Sequence, residues 1–290
     1  MTGKREGGSE LCSDLSRAAG EPLSATATHA HRWLLVEVPG AWPRDVSDDA
    51  PLAPPVREAL SGWLARTPRS RLHYIRRPVR VDASPAVYLV RTEERAAETR
   101  RIEITSHADL ADLDLDSAGE PHDARLVLVC AHGSRDRCCS LRGTAVCRAL
   151  GAAAGLGDDE LWLSSHHGGH RFAGNALVFP LGLHLGRLDS WSAPDVLSRA
   201  RAGRIELGHY RGRTFYEPRV QAAEHAVREA TGLDGVDDLR LAGVDDRVVR
   251  LVDADGREHD AVVDEIAGPV VPASCGAAPE PQARFTARLL

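Results

Sequence analysis

The chain has 290 residues, of which 43% are hydrophobic, 27% charged and 4% aromatic, with a formal net charge of −6. That length holds two modest domains with buried cores, and the composition is that of an ordinary globular protein. The acidic balance and the few aromatics argue against a nucleic-acid or anionic-membrane surface, and no apolar run reaches the roughly 18 residues of a membrane span. Lys4 is the only lysine, so basic character is almost entirely Arg.

Residues 1–28, rich in Gly, Ser, Ala and charge, read as a flexible terminus. Residues 1–10 are polar and lack the apolar segment of a secretory signal, which points to a cytoplasmic protein. Residues 32–38 read as a strand stopped by Pro39-Gly40, and Val56, Leu60, Trp63 and Leu64 form a helical stripe within 55–67. Strands are expected over 72–81, 86–91 and 101–105. The acidic, turn-rich stretch 109–123 marks a boundary, which makes 29–120 a smaller α/β domain without a chemical motif.

The apolar run 125–129 suits a buried strand that delivers the chain to Cys130. An Ala-rich helix over 141–156, a strand over 161–164 and a hairpin over 175–188 around Pro180-Leu181-Gly182 follow. Ser192-Ala193-Pro194-Asp195 reads as a capping box for a helix over 196–202, and 218–231 as a further helix. A second domain is assigned to 121–232. Residues 233–290 form a β-rich extension, with a hairpin of 248–252 and 259–266 about Asp253-Ala254-Asp255-Gly256. No repeat at solenoid periods is visible.

Four of the six cysteines, Cys130, Cys138, Cys139 and Cys147, are close in sequence; Cys12 and Cys275 lie far away and receive no role. Without a secretory signal the set does not read as a disulfide framework, and the clustering points to metal or redox chemistry. Cys147, on the apolar face of a helix, reads as a small core hydrophobe. Two loops carry the chemistry: Cys130-Ala131-His132-Gly133-Ser134-Arg135-Asp136-Arg137-Cys138-Cys139 and Ser165-His166-His167-Gly168-Gly169-His170. Each begins where a predicted strand ends, the place where ligands gather on an open α/β sheet. Adjacent strands would put Cys130, Cys139, His166 and His170 in one ligand shell, with Gly168 and Gly169 letting the backbone fold tightly.

Two thiolates and two imidazoles suit a structural zinc or a [2Fe–2S] cluster. Zinc motifs pair cysteines closely; Cys130 and Cys139 are nine positions apart in a long loop, which favours the two-iron cluster. Two Cys and two His are the Rieske ligand set, but Rieske loops mix one of each and this chain segregates them. The pattern C-x8-C then H-x3-H is similar to the thioredoxin-like ferredoxins, with His in place of their second cysteine pair.

Cys130-Ala131-His132-Gly133, Gly168-Gly169-His170-Arg171-Phe172-Ala173-Gly174-Asn175, Arg211-Gly212-Arg213, Pro218 and Gln221-Ala222-Ala223-Glu224 together resemble the sucrase/ferredoxin-like family. Trp33-Leu34-Leu35-Val36-Glu37 before Pro39-Gly40 extends the resemblance more loosely towards the N-terminus. It implies an α/β (α+β) fold: a thioredoxin-like ferredoxin domain preceded by the smaller α/β domain and followed by the β-hairpin extension. Its Apd1-type members bind a [2Fe–2S] cluster through two Cys and two His, which map onto Cys130, Cys139, His166 and His170. The chain has Cys138-Cys139 where many such relatives have one Cys, so Cys138 stays open as the second thiolate. No pair of carboxylates stands in a glycosidase setting, so no sucrase activity is expected.

His132 reads either as a group supporting the ligands or as a turn residue, and His167 as solvent-facing. Arg135, Arg137, Arg142 and Arg171 either offset cluster charge, rim a docking surface, or are a solvated loop. Arg211-Gly212-Arg213 either touches an acidic partner or is a charged turn. The expected function is one-electron transfer or redox sensing, with a potential that falls as pH rises because imidazole ligands can lose a second proton. No nucleotide-binding motif is present, so electrons come from a redox partner protein or a small reductant. The alternatives are a zinc-stabilised binding module and a thiol-redox enzyme using Cys138-Cys139.

Overall fold

The computed structural model describes residues 10–46, 51–153, 155–157 and 159–290. Order begins earlier than composition suggests. Residues 1–28 read as flexible, yet α1 (Cys12–Ala18) buries Cys12, Ser13 and Ser16; residues 1–9 lie outside the described residues.

The first unit is β1 (Arg32–Glu37), α2 (Pro54–Arg66), β2 (Ser70–Arg76), β3 (Val87–Glu93) and β4 (Ala96–Ile102). α2 starts on Pro54, which fits the first turn because no intrahelical partner awaits its missing N–H, and buries the stripe Val56, Leu60 and Trp63. β2 runs parallel to β1, β3 antiparallel to β1, and β4 antiparallel to β3. The acidic stretch holds a 3-10 turn, His107–Ala111, and the two-residue strand β5 (Glu120–Pro121) on β4.

The second unit repeats this topology. β6 (Leu126–Cys130) leads through α3 (Arg137–Ala152) to the parallel β7 (Leu161–Ser164); β8 (Ala176–Phe179) is antiparallel to β6, and β9 (Leu183–Leu185) to β8. β2 pairs antiparallel with β7 through Ile75↔Ser164 and Arg76↔Leu163. With β10 (Tyr210–Arg213) on β9, one curled sheet has the order β10-β9-β8-β6-β7-β2-β1-β3-β4-β5. The sheet thus runs unbroken across the boundary expected near residue 120.

Alternation along the strands explains how both faces are filled. Leu34 and Val36 of β1 pack with α2, whereas Trp33 and Leu35 turn inward. Val127 and Val129 of β6 pack with α3 and with α4 (Ser192–Arg201), whereas Leu126 and Leu128 turn inward. The inward residues of both units meet in one core with Trp162, Leu177 and Phe179.

The expected capping box at Ser192…Asp195 is displaced by three residues. Asp189 Oδ1 accepts the backbone N–H of Trp191 and Ser192, and Ser192 Oγ accepts that of Asp189. α5 (Pro218–Thr231) ends on Gly232, whose φ of 74° is a left-handed C-cap. It packs on a second sheet, the meander β11 (Leu239–Asp245), β12 (Val248–Asp253), β13 (Glu258–Pro272) and β14 (Pro279–Leu289). The sequence reading finds only β12 and β13. β14 hides behind Pro279 and Pro281, which an edge strand tolerates.

Candidate metal centre

β6 carries Cys130 to the sheet's end, where its N–H donates to Asn175 O (3.0 Å). After a five-residue loop, Asp136 caps α3, its Oδ1 accepting the N–H of Cys138 (2.7 Å). The helix therefore begins before residue 141, and Cys138 and Cys139 occupy its first turn rather than a long loop. Neighbours on a helix point about 100° apart, so the two thiols diverge. Cys139 lies with Cys130 and His166, ligand atoms within 4.8 Å of one another, while Cys138 lies with Cys12, Asp136 and Cys275. The adjacent pair does not form one thiol-redox centre.

Gly143, one turn further along α3, makes this approach possible: a Cβ there would overlap the carbonyl oxygen of Cys130 and stand 2.9 Å from its carbonyl carbon. Sequence reasoning missed Gly143, although a glycine inside a helical stripe often signals close approach.

The second loop follows β7. Gly168 and Gly169 have φ of 89° and 71°, and a Cβ on Gly169 would meet Arg211 Nη2 at 2.6 Å and the Phe172 ring at 2.8 Å. Arg211, fully buried, holds the loop from below, donating to Gly168 O (3.0 Å) and Asn175 Oδ1 (2.9 Å). Burial lowers it to about 9, so it stays charged at neutral pH. Arg211 and Arg213 are thus buried in β10, not a partner-facing turn. Arg171 pairs with Glu21 (2.7 Å) and Arg142 with Asp14 (2.6 Å); Arg135 lies 3.8 Å from Asp45.

His166 and His170 stack, with ring centroids 3.7 Å apart and planes at 14°. His170 Nδ1 lies 3.4 Å from Cys139 Sγ and 3.9 Å from Asp136 Oδ2. His166 Nδ1 is buried with no hydrogen-bond partner. Burial pushes His170 down to about 4, with His166 beside it adding to the effect, which keeps the ring neutral as a metal ligand requires. Cys130 is held well below the usual thiol range, first by the thiol of Cys139 donating to it and then by His166, against burial. Cys139 is raised correspondingly, by the same bond and by burial. Two overlapping groups, Cys130–Cys139–His166 and Asp136–Cys139–His170, each have ligand atoms within 4.8 Å of one another and can hold a metal, and His166 supplies a buried nitrogen with no other partner.

His132 is buried beneath this set: its Nε2 pairs with Pro43 O (2.7 Å) and its Nδ1 accepts the N–H of His166 (3.3 Å). His167, expected to face solvent, is buried against His73 and His184, with its Nε2 on Ser164 Oγ. Thr28 anchors this loop: its hydroxyl donates to His167 O, and it stands so close to Gly168 that a Cβ there would meet Thr28 Oγ1 at 2.9 Å.

A profile of the sucrase/ferredoxin-like family matches residues 23–212. Altered inheritance of mitochondria protein 32 of Eremothecium gossypii is 38% identical over 61 residues, 21% of this chain and 20% of that protein. No solved structure matches. No helix among the described residues is long and apolar enough to cross a membrane. The matched profile spans both loops and most of the ten-stranded sheet, and the chain belongs to the sucrase/ferredoxin-like family.

Proposed function

We propose that the chain is a one-electron carrier or redox sensor in which Cys130, Cys139, His166 and His170 hold a [2Fe–2S] cluster. The observation that carries this reading is the convergence of Cys130 at the end of β6, Cys139 in the first turn of α3, and His166 and His170 after β7, with His166 Nδ1 buried and unpaired. The 126–185 unit, β-α-β-β-β, serves as the thioredoxin-like ferredoxin module. A cluster with two imidazoles supplies reversible one-electron chemistry at a higher potential than an all-thiolate one.

The chain's own residues set the conditions. Cys139 is the second thiolate, because Cys138 diverges from it. Gly143 and Asp136 place it; Arg211 and His132 hold the histidine loop; buried Arg211 adds positive charge beneath an anionic centre. His166, half-buried, lines a cleft of about 420 Å³ together with Arg44, Arg71, His73 and Arg135. A redox partner protein or small reductant meets the centre there, and the arginines favour an anionic surface.

Iron and acid-labile sulfide in protein purified without oxygen test the reading. Equal iron and sulfide with a brown colour are expected; colourless protein carrying zinc would replace it with a zinc site. The zinc reading has one observation in its favour: Cys130, Cys139 and His166 lie within 4.8 Å of one another, the span of a single-ion shell.

A further inference from the structure

Three cysteines that the centre above does not use meet elsewhere. Cys12 lies on α1, Cys138 in the first turn of α3, and Cys275 in the connection between β13 and β14. Their sulfurs form a triangle: Cys12–Cys138 3.5 Å, Cys138–Cys275 3.2 Å and Cys275–Cys12 3.7 Å. Asp136 Oδ2 lies 4.0 Å from Cys12 Sγ and accepts the N–H of Cys275 (2.8 Å). All four ligand atoms fall within 4.8 Å of one another. Cys12 and Cys138 are fully buried and Cys275 partly so.

We infer that Cys12, Cys138 and Cys275, with Asp136 as the fourth ligand, form a second metal site that takes a structural zinc ion. Zinc bound tetrahedrally at 2.3 Å from each sulfur needs sulfurs about 3.8 Å apart, close to the separations present. A disulfide would use two of the sulfurs and leave the third buried beside it, whereas one ion uses all three. Soft thiolates select zinc among the common divalent ions. Binding displaces the thiol protons to solvent and involves no electron transfer.

The site also has a structural purpose. Cys12 and Cys275 are 263 positions apart and Cys138 is 126 from Cys12, so one ion ties the first helix and the second sheet to α3. Besides the cysteines, Ala173 and Leu11 pack at the site, and the Ser13 N–H (3.5 Å) and hydroxyl (3.2 Å) contact Cys138 Sγ. Cys12 and Cys275 lie outside residues 23–212, so two of the four ligands stand beyond the family match and two within it.

The two metal sites have no ligand in common, and metal analysis of the full chain separates them. In protein purified without chelator or oxygen, one zinc ion per chain is expected beside the iron. Cys275→Ser and Cys12→Ser should lose the zinc and keep the iron; Cys139→Ser should lose the iron and keep the zinc. Cobalt added to the reduced protein should give thiolate charge-transfer bands that are lost in Cys275→Ser, and the wild-type titration decides the matter if a variant does not fold. Wild-type protein with neither zinc nor a cobalt–thiolate spectrum overturns the inference. So does a disulfide joining Cys138 to Cys12 or Cys275 in non-reducing peptide maps, or zinc that leaves with Cys139→Ser and stays in Cys275→Ser.

Discussion

Gly143 of α3 rests directly on the backbone carbonyl of Cys130, with no room between them for a methyl group. This contact sets how closely the helix bearing Cys139 approaches the strand bearing Cys130.

Gly143→Ala should therefore act on the site as well as on stability. The overlap is with backbone, which cannot rotate away, so α3 must shift. Overpacking of this kind costs about 1–3 kcal/mol. Urea unfolding should report that loss, and iron per chain should fall in the same preparation. Unchanged stability and iron content would mean that the helix position is not limiting.

The diverging thiols give a sharper contrast. Cys139→Ser should abolish the cluster's visible absorption, whereas Cys138→Ser should retain it, because Cys138 faces Cys12 and Cys275. A Cys139→Ser protein that stays brown with an unchanged EPR spectrum would move the ligand to Cys138.

The buried histidines predict a pH dependence for iron-free protein. Burial lowers His167 to about 4, and holds His73 and His184 well below their usual value. In the unfolded chain each titrates near 6.5. Between these values the unfolded state binds more protons, so folded stability falls as pH drops from about 6.5 towards 4 and is unaffected by these groups above that window. His167 alone should account for roughly 2 kcal/mol at pH 5. Urea midpoints at pH 7 and pH 5 check the sign; equal or higher stability at pH 5 would contradict it.

Much of the site is legible in the sequence because its loops follow short apolar strands and carry glycines at the bends. Cys130, His166 and His170 sit where the strand pattern puts them. The second half of the first loop is not legible, because the start of α3 is fixed by Asp136, an N-cap without the usual Glu or Gln three residues later. That concealed the helical position of Cys138 and Cys139. The burial of His167 and Arg211 is equally hidden, since polar residues on short segments look exposed until their partners, such as Thr28 and Asn175, arrive from distant elements. The duplicated β-α-β-β-β unit escapes because strand pairing, not residue identity, defines it, and the β2–β7 junction rests on only two registered pairs.

His166 leads to a further expectation. An imidazole bound through one nitrogen keeps a proton on the other, and His166 borders the cleft, where that proton can exchange with water. The reduction potential should fall as pH rises over the alkaline range. A potential flat from about pH 6 to 10 would argue against an accessible histidine ligand.

The central claim, that two histidines share the centre with two cysteines, is tested most directly by pulsed EPR of the reduced protein. Two strong nitrogen couplings are expected in the wild type, with one lost in His166→Cys and the other in His170→Cys. A reduced cluster without directly bound nitrogen, or with couplings untouched by both substitutions, would contradict the account.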